Sequence, residues 1–98
     1  MDLNEFGKRT YECALKRGKI SDVTDKTLLH IETIRSVNEE LHEVKMSSEL
    51  KESVHLQGYT EVSEELADVA IVVFTELYRR GVDVEKILED KCSFNEQR

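Results

Sequence analysis

The stretch Glu65-Leu66-Ala67-Asp68-Val69-Ala70-Ile71-Val72-Val73-Phe74 constrains this chain more than any other. It is apolar on nearly every side of a helix, so it is expected to form a buried helix with other helices around it. One acid, Asp68, lies inside it. A carboxylate stripped of its hydration there costs several kcal/mol unless a partner, a hydrogen bond or a metal compensates. Glu65 sits one turn earlier on the same face, because residues three apart are neighbours on a helix. Upstream, Glu39-Glu40-Leu41-His42-Glu43 offers a second pair, Glu40 and Glu43, at the same spacing. Two helices that each present two carboxylates inward make a hard-oxygen cage suited to Mg²⁺, or to Mn²⁺. The pattern points to a metal-dependent enzyme.

The rest of the composition agrees with a helical chain. Ninety-eight residues suffice for one small domain, residues 1–98, of four or five helices around one core. There is no proline and there are only four glycines, so helix breakers are scarce while good helix formers abound. A net charge of −7 argues against nucleic acid or an anionic membrane as the natural partner. An anionic nucleotide is still compatible with that charge, provided metal ions accompany it. The longest apolar run, Val69 to Phe74, is far too short to cross a bilayer. The two cysteines, Cys13 and Cys92, match no metal spacing and read as reduced thiols. With no signal peptide visible, the expectation is a soluble, cytoplasmic protein.

Periodicity predicts a first helix over about Leu3 to Arg17, with Leu3, Phe6, Thr10, Cys13 and Ala14 on its inner face and Gly18 as its stop. Ser21, Asp22, Thr24 and Asp25 are candidate caps for a long second helix, Lys26 to Met46. Ile34, Val37, Leu41 and Val44 form its apolar stripe, with Glu40 beside it. Residues 47–59 read as either a short helix over Glu49 to Leu56 or an ordered loop. Thr60 is placed to cap a third helix that continues to about Arg80 and ends at Gly81. Asp83 then caps a fourth, with Val84, Ile87, Leu88 and Phe94 facing inward. The third helix carries apolar residues on more faces than three neighbours can cover. A subunit interface is therefore expected, a homodimer by default.

A second cluster closes the chain. Lys91, Asn95 and Arg98 fall at i, i+4 and i+7, one helical face able to grip phosphates with a point charge, an amide and a guanidinium fork. Taken alone, basic residues near a helix C-terminus need no function, because they complement the helix dipole. Glu40 and Glu43 alone would likewise read as a solvated face.

Together the motifs resemble a known family. The order Glu40-x-x-Glu43, then Glu65-Leu66-Ala67-Asp68-Val69, then Gly81-Val82-Asp83, then Lys91-x-x-x-Asn95-x-x-Arg98 resembles the MazG-like all-α nucleotide pyrophosphohydrolases over about Lys26 to Arg98. The resemblance implies an all-α bundle of four or five helices, assembled as a dimer or a dimer of dimers. It implies Mg²⁺-dependent hydrolysis of nucleoside triphosphates to the monophosphate and pyrophosphate. By the same resemblance Glu40, Glu43, Glu65 and Asp68 are metal ligands, and Lys91, Asn95 and Arg98 contact the phosphates.

The residues suit that chemistry independently of the name. Carboxylate-held metal would neutralise phosphate oxygens and acidify a bound water, and Glu43 is the candidate base for that water's proton. Two other readings compete. Glu39-x-x-His42 and Glu52-x-x-His55 have the spacing of carboxylate-bridged di-iron bundles. A non-catalytic helical interaction or nucleotide-binding module would leave the same charges as a solvated surface.

Overall fold

The computed structural model describes residues 1–98 and contains four α-helices and no strand. These are α1 (Leu3–Lys16), α2 (Lys26–Met46), α3 (Glu61–Arg79) and α4 (Val84–Glu96). The fold is all-α. No helix is long and apolar enough to cross a membrane. The chain divides into two compact units, one of residues Met1–Asp22 with Phe74–Arg98 and one of Val23–Val73, and α3 contributes to both.

Short polar side chains start the helices. Asp2 Oδ1 accepts from the backbone N–H of Asn4 at 2.8 Å and of Glu5 at 3.2 Å, which satisfies the open amides of α1. Among the candidate caps before α2 the chain uses Asp25, whose carboxylate accepts from Leu28 N at 3.0 Å. Thr60 Oγ1 accepts from Ser63 N at 3.1 Å at the start of α3. Asp83 caps α4 by accepting from Lys86 N at 3.1 Å. Gly81, at φ 74°, turns the chain out of α3 through the left-handed region that only glycine enters freely.

In the first unit α1 and α4 pack together, and the end of α3 joins them. Gly7 permits a close approach. A Cβ there would stand 3.2 Å from Tyr78 Cβ and 3.3 Å from the Phe74 carbonyl oxygen. Around that contact Phe6 meets Phe74 edge-to-face at 5.6 Å between ring centroids, and Tyr11 meets Tyr78 at 5.3 Å. Val84 is fully buried, with its N–H donating to Asn4 Oδ1 at 2.7 Å. The buried hydroxyls of Thr75 and Thr10 are bonded at 2.8 Å. At the end of α3, Glu76 is buried and holds two guanidinium groups, Arg79 at 3.1 Å and Arg80 at 3.0 Å.

The second unit holds α2, the first three turns or so of α3, and the connection between them. That connection is an ordered loop rather than a helix. Its ties are long-range: Glu61 N donates to the Lys51 carbonyl at 2.9 Å, Ser53 N to the Tyr59 carbonyl at 2.8 Å, and Ser48 N to Glu61 Oε1 at 2.9 Å.

Burial differs from the sequence expectation. Leu29 is the buried apolar residue of α2, whereas Ile34 and Leu41 of the expected stripe are each 48% exposed. On α3, Leu66 is 53% exposed and Val73 40%, so the helix is not enclosed. The physical reason is supply of surface. Within this unit α3 has one helix and one loop to pack on, and two helices cover only one face of each other. Cys13, Ile87, Leu88 and Phe94, expected to face inward, are likewise exposed.

Candidate functional site

Helix α2 carries Glu40 and Glu43, and α3 carries Glu65 and Asp68. Three of the four converge. Carboxylate oxygens of Glu40, Glu65 and Asp68 all lie within 4.8 Å of one another, and all three residues are half-buried. Glu43 falls outside this group. It is exposed and lines a pocket next to Glu65 instead.

Neither Glu65 nor Asp68 is paired with a lysine or arginine, and no hydrogen bond neutralises either of them. The structural salt bridge that would explain an acid in this segment is absent. Loss of hydration, followed by the charges of Asp68, Glu64, Glu43 and Glu40, pushes the Glu65 carboxyl above its ordinary value. Like charges this close together are costly, and a cation bound among them would relieve that cost.

The donor set fits a hard divalent cation. All three groups offer carboxylate oxygen, the ligand type that Mg²⁺ and Mn²⁺ prefer. Glu40, Glu65 and Asp68 are the residues that would hold such an ion.

An open cleft adjoins the acids, about 480 Å³ with its solvent mouth included. Glu43, Met46, Ser47, Val54, His55, Glu61, Glu64 and Glu65 line it. Its far wall is a linked set of side chains, of which the sequence marked His55 alone, and as a partner of Glu52 rather than of Glu64. Glu64 accepts on one oxygen from Ser53 Oγ and on the other from His55 Nδ1, the latter at 2.8 Å. The two hydrogen bonds hold the Glu64 carboxyl below its ordinary value. The hydrogen bond and charge of Glu64 raise His55 above its own, with smaller contributions from Glu65 and Asp68. The visible signal was the Glu64-Glu65 doublet and a lone histidine nine residues upstream. Neither indicates that a loop turn brings them together.

The C-terminal cluster belongs to the first unit, whereas the acids belong to the second. Lys91 and Asn95 lie on α4, but the helix ends at Glu96, so Arg98 stands beyond it rather than on the expected stripe. The three residues still gather. Lys91 Nζ lies 4.6 Å from the Phe94 ring centroid and the Arg98 guanidinium 5.8 Å, while Arg98 Nη1 donates to Asn95 Oδ1 at 3.4 Å. Both cysteines are free and exposed.

The di-iron spacing finds no counterpart in space. Glu52 accepts from Gly58 N, His55 is bound to Glu64, and none of Glu39, His42, Glu52 and His55 joins the acidic cluster. Comparison of the chain with protein-family models, curated proteins and solved structures finds no match.

Proposed function

We propose that this chain is a Mg²⁺-dependent nucleoside triphosphate pyrophosphohydrolase of the MazG-like kind. The observation that carries the proposal is the convergence of Glu40, Glu65 and Asp68 from two helices, without a basic side chain on either α3 acid. A folded chain tolerates such a cluster at a cost, and metal binding is the function that gives the cost a purpose. Glu40, Glu65 and Asp68 would hold the cation. Bound there, it supplies charge neutralisation and an acidified water.

In the reaction, water oxygen bonds to the α-phosphorus as the bond to the bridging oxygen of the β-phosphate breaks. The products are the monophosphate and pyrophosphate. Glu43, close to Glu65 in the pocket wall but outside the ligand group, takes the proton of the attacking water. Lys91, Asn95 and Arg98 bind phosphate oxygens, as the family resemblance implies. The working form is a homodimer or homotetramer. Ile34 and Leu41 on α2 and Leu66 and Val73 on α3 are too exposed for one chain alone, and a second copy would cover them.

The test is release of pyrophosphate from a panel of ordinary and modified nucleoside triphosphates, with Mg²⁺ and with EDTA. Metal-dependent release with monophosphate as the other product is expected, and Glu43→Gln should lose turnover while still binding metal. Silence across the panel, with no Mg²⁺-dependent thermal shift, would replace the proposal with a helical interaction module.

A further inference from the structure

The acidic cleft poses a problem for its proposed substrate. A triphosphate is strongly anionic, and Glu43, Glu61 and Glu64 line the cleft beside Glu65, one of the metal ligands. Metal accounts for the charge of its own ligands but leaves this wall acidic. One basic side chain lines the cleft: His55.

The loop is built to present it. Ser53 Oγ accepts from the backbone N–H of His55 at 3.2 Å and of Leu56 at 3.0 Å, and Ser53 N donates to the Tyr59 carbonyl at 2.8 Å. The turn is thus fixed through the backbone, not through the imidazole. Glu64, itself oriented by the Ser53 hydroxyl, takes the Nδ1 hydrogen of the ring at 2.8 Å. That bond sets the ring's orientation and leaves Nε2 as the nitrogen able to meet a ligand. The side chain is 78% exposed, so no protein group encloses that nitrogen.

We propose that His55 is a substrate-contacting residue of this site: braced by Glu64, it donates from Nε2 to a phosphate oxygen of the bound nucleotide. The inference rests on the reading of the cleft as a triphosphate site. The Glu64 carboxylate bonded to Nδ1 favours the protonated ring, in which both nitrogens donate. A charge-assisted bond of this kind is stronger than a neutral one. Because its role is to hold phosphate rather than to move a proton, it should act on binding more than on turnover.

The experiment compares wild type, His55→Ala and His55→Gln in steady-state kinetics on the best triphosphate, alongside NMR of the ring protons. His30, His42 and His55 are the only histidines, so two serve as internal controls. Expected are a KM raised by about tenfold with kcat much less affected, consistent with loss of one solvent-accessible charged hydrogen bond. The Mg²⁺-induced rise in Tm should persist in both variants, which shows that the loop and the metal ligands are intact. Addition of Mg²⁺ and inorganic pyrophosphate should move the His55 Cε1–H resonance and leave those of His30 and His42 in place. An unchanged KM in an active enzyme, or a His55 resonance that ignores pyrophosphate, overturns the assignment while the proposed reaction stands. If wild type hydrolyses nothing but His55 alone responds to pyrophosphate, the reaction falls and the phosphate contact survives.

Discussion

Replacing Asp68 by asparagine should make the metal-free protein more stable and the metal-loaded protein less so. The side chain keeps its shape and loses its charge. In wild type the carboxylate oxygens of Glu40, Glu65 and Asp68 lie within 4.8 Å. At that separation two unit charges repel by about 0.9 kcal/mol in bulk water and about 3.5 kcal/mol at an effective dielectric constant of 20. Asp68 takes part in two of the three pairs. The residues are half-buried and salt screens them, so a net gain of about 1–2 kcal/mol is a fair expectation for the variant in EDTA. The direction agrees with Glu65, whose carboxyl is held above its ordinary value. An acid raised in the folded state penalises folding as pH climbs from its unfolded towards its folded value, and the full penalty applies beyond both. For a chain of 98 residues, 1–2 kcal/mol corresponds to roughly 5–10 °C in Tm. Saturating metal reverses the order. A ligand at 100 times its Kd stabilises the form that binds it by about 2.7 kcal/mol, and Asp68→Asn should forfeit most of that. Thermal melts in EDTA and in excess Mg²⁺ check both halves, with turnover lost throughout. A variant that melts below wild type in EDTA, or a wild type whose Tm ignores Mg²⁺, would refute the reasoning.

Two further outcomes follow from other parts of the molecule. Glu76→Gln should lower stability by about 1–3 kcal/mol in urea unfolding, because it removes the charge from an acceptor shared by the Arg79 and Arg80 guanidinium groups; an unchanged midpoint would show the ion pairs to be dispensable. The difference in Tm between wild type and His55→Gln should be greatest between about pH 4.5 and 6.5. Glu64, lowered in the fold, contributes above its unfolded value and loses that contribution as pH falls through the folded one. His55, raised in the fold, contributes fully below about 6.5 and loses its share as pH rises through the folded value. A difference that stays constant from pH 5 to 9 would contradict the pairing.

Helix boundaries were the most legible part of this chain, because capping chemistry is local. Helix α2 runs from Lys26 to Met46 as the periodicity predicts, and α3 and α4 begin after the threonine and aspartate chosen as their caps. Four helices lie within the expected four or five. Burial was less legible, since an apolar stripe says which face wants cover and not whether one chain supplies it. Leu41 and Leu66 show the difference. The meeting of Glu40 with Glu65 and Asp68 was readable from spacing on two helices. The exclusion of Glu43 was not, because it depends on where along α2 the facing acids fall. The loop between α2 and α3 was opaque for another reason. Its shape is set by bonds such as Ser48 to Glu61 and Gly58 to Glu52, whose partners are 13 and 6 residues apart and follow no period. The linkage of Ser53 and His55 to Glu64 was hidden with it.

The buried Glu76 bears on how this sequence can change over time. Its carboxylate serves Arg79 and Arg80 together, and Arg79 also donates to the Ser21 carbonyl at 3.0 Å. Losing Glu76 removes a carboxylate that two guanidinium groups share, and a few kcal/mol is a large share of the 5–15 kcal/mol that typically separates folded from unfolded chains. An apolar residue at position 76 would also change what both arginines bond to, so the three positions are tied together. This end of α3 is thus expected to vary by coordinated replacement of Glu76, Arg79 and Arg80 more than by single changes.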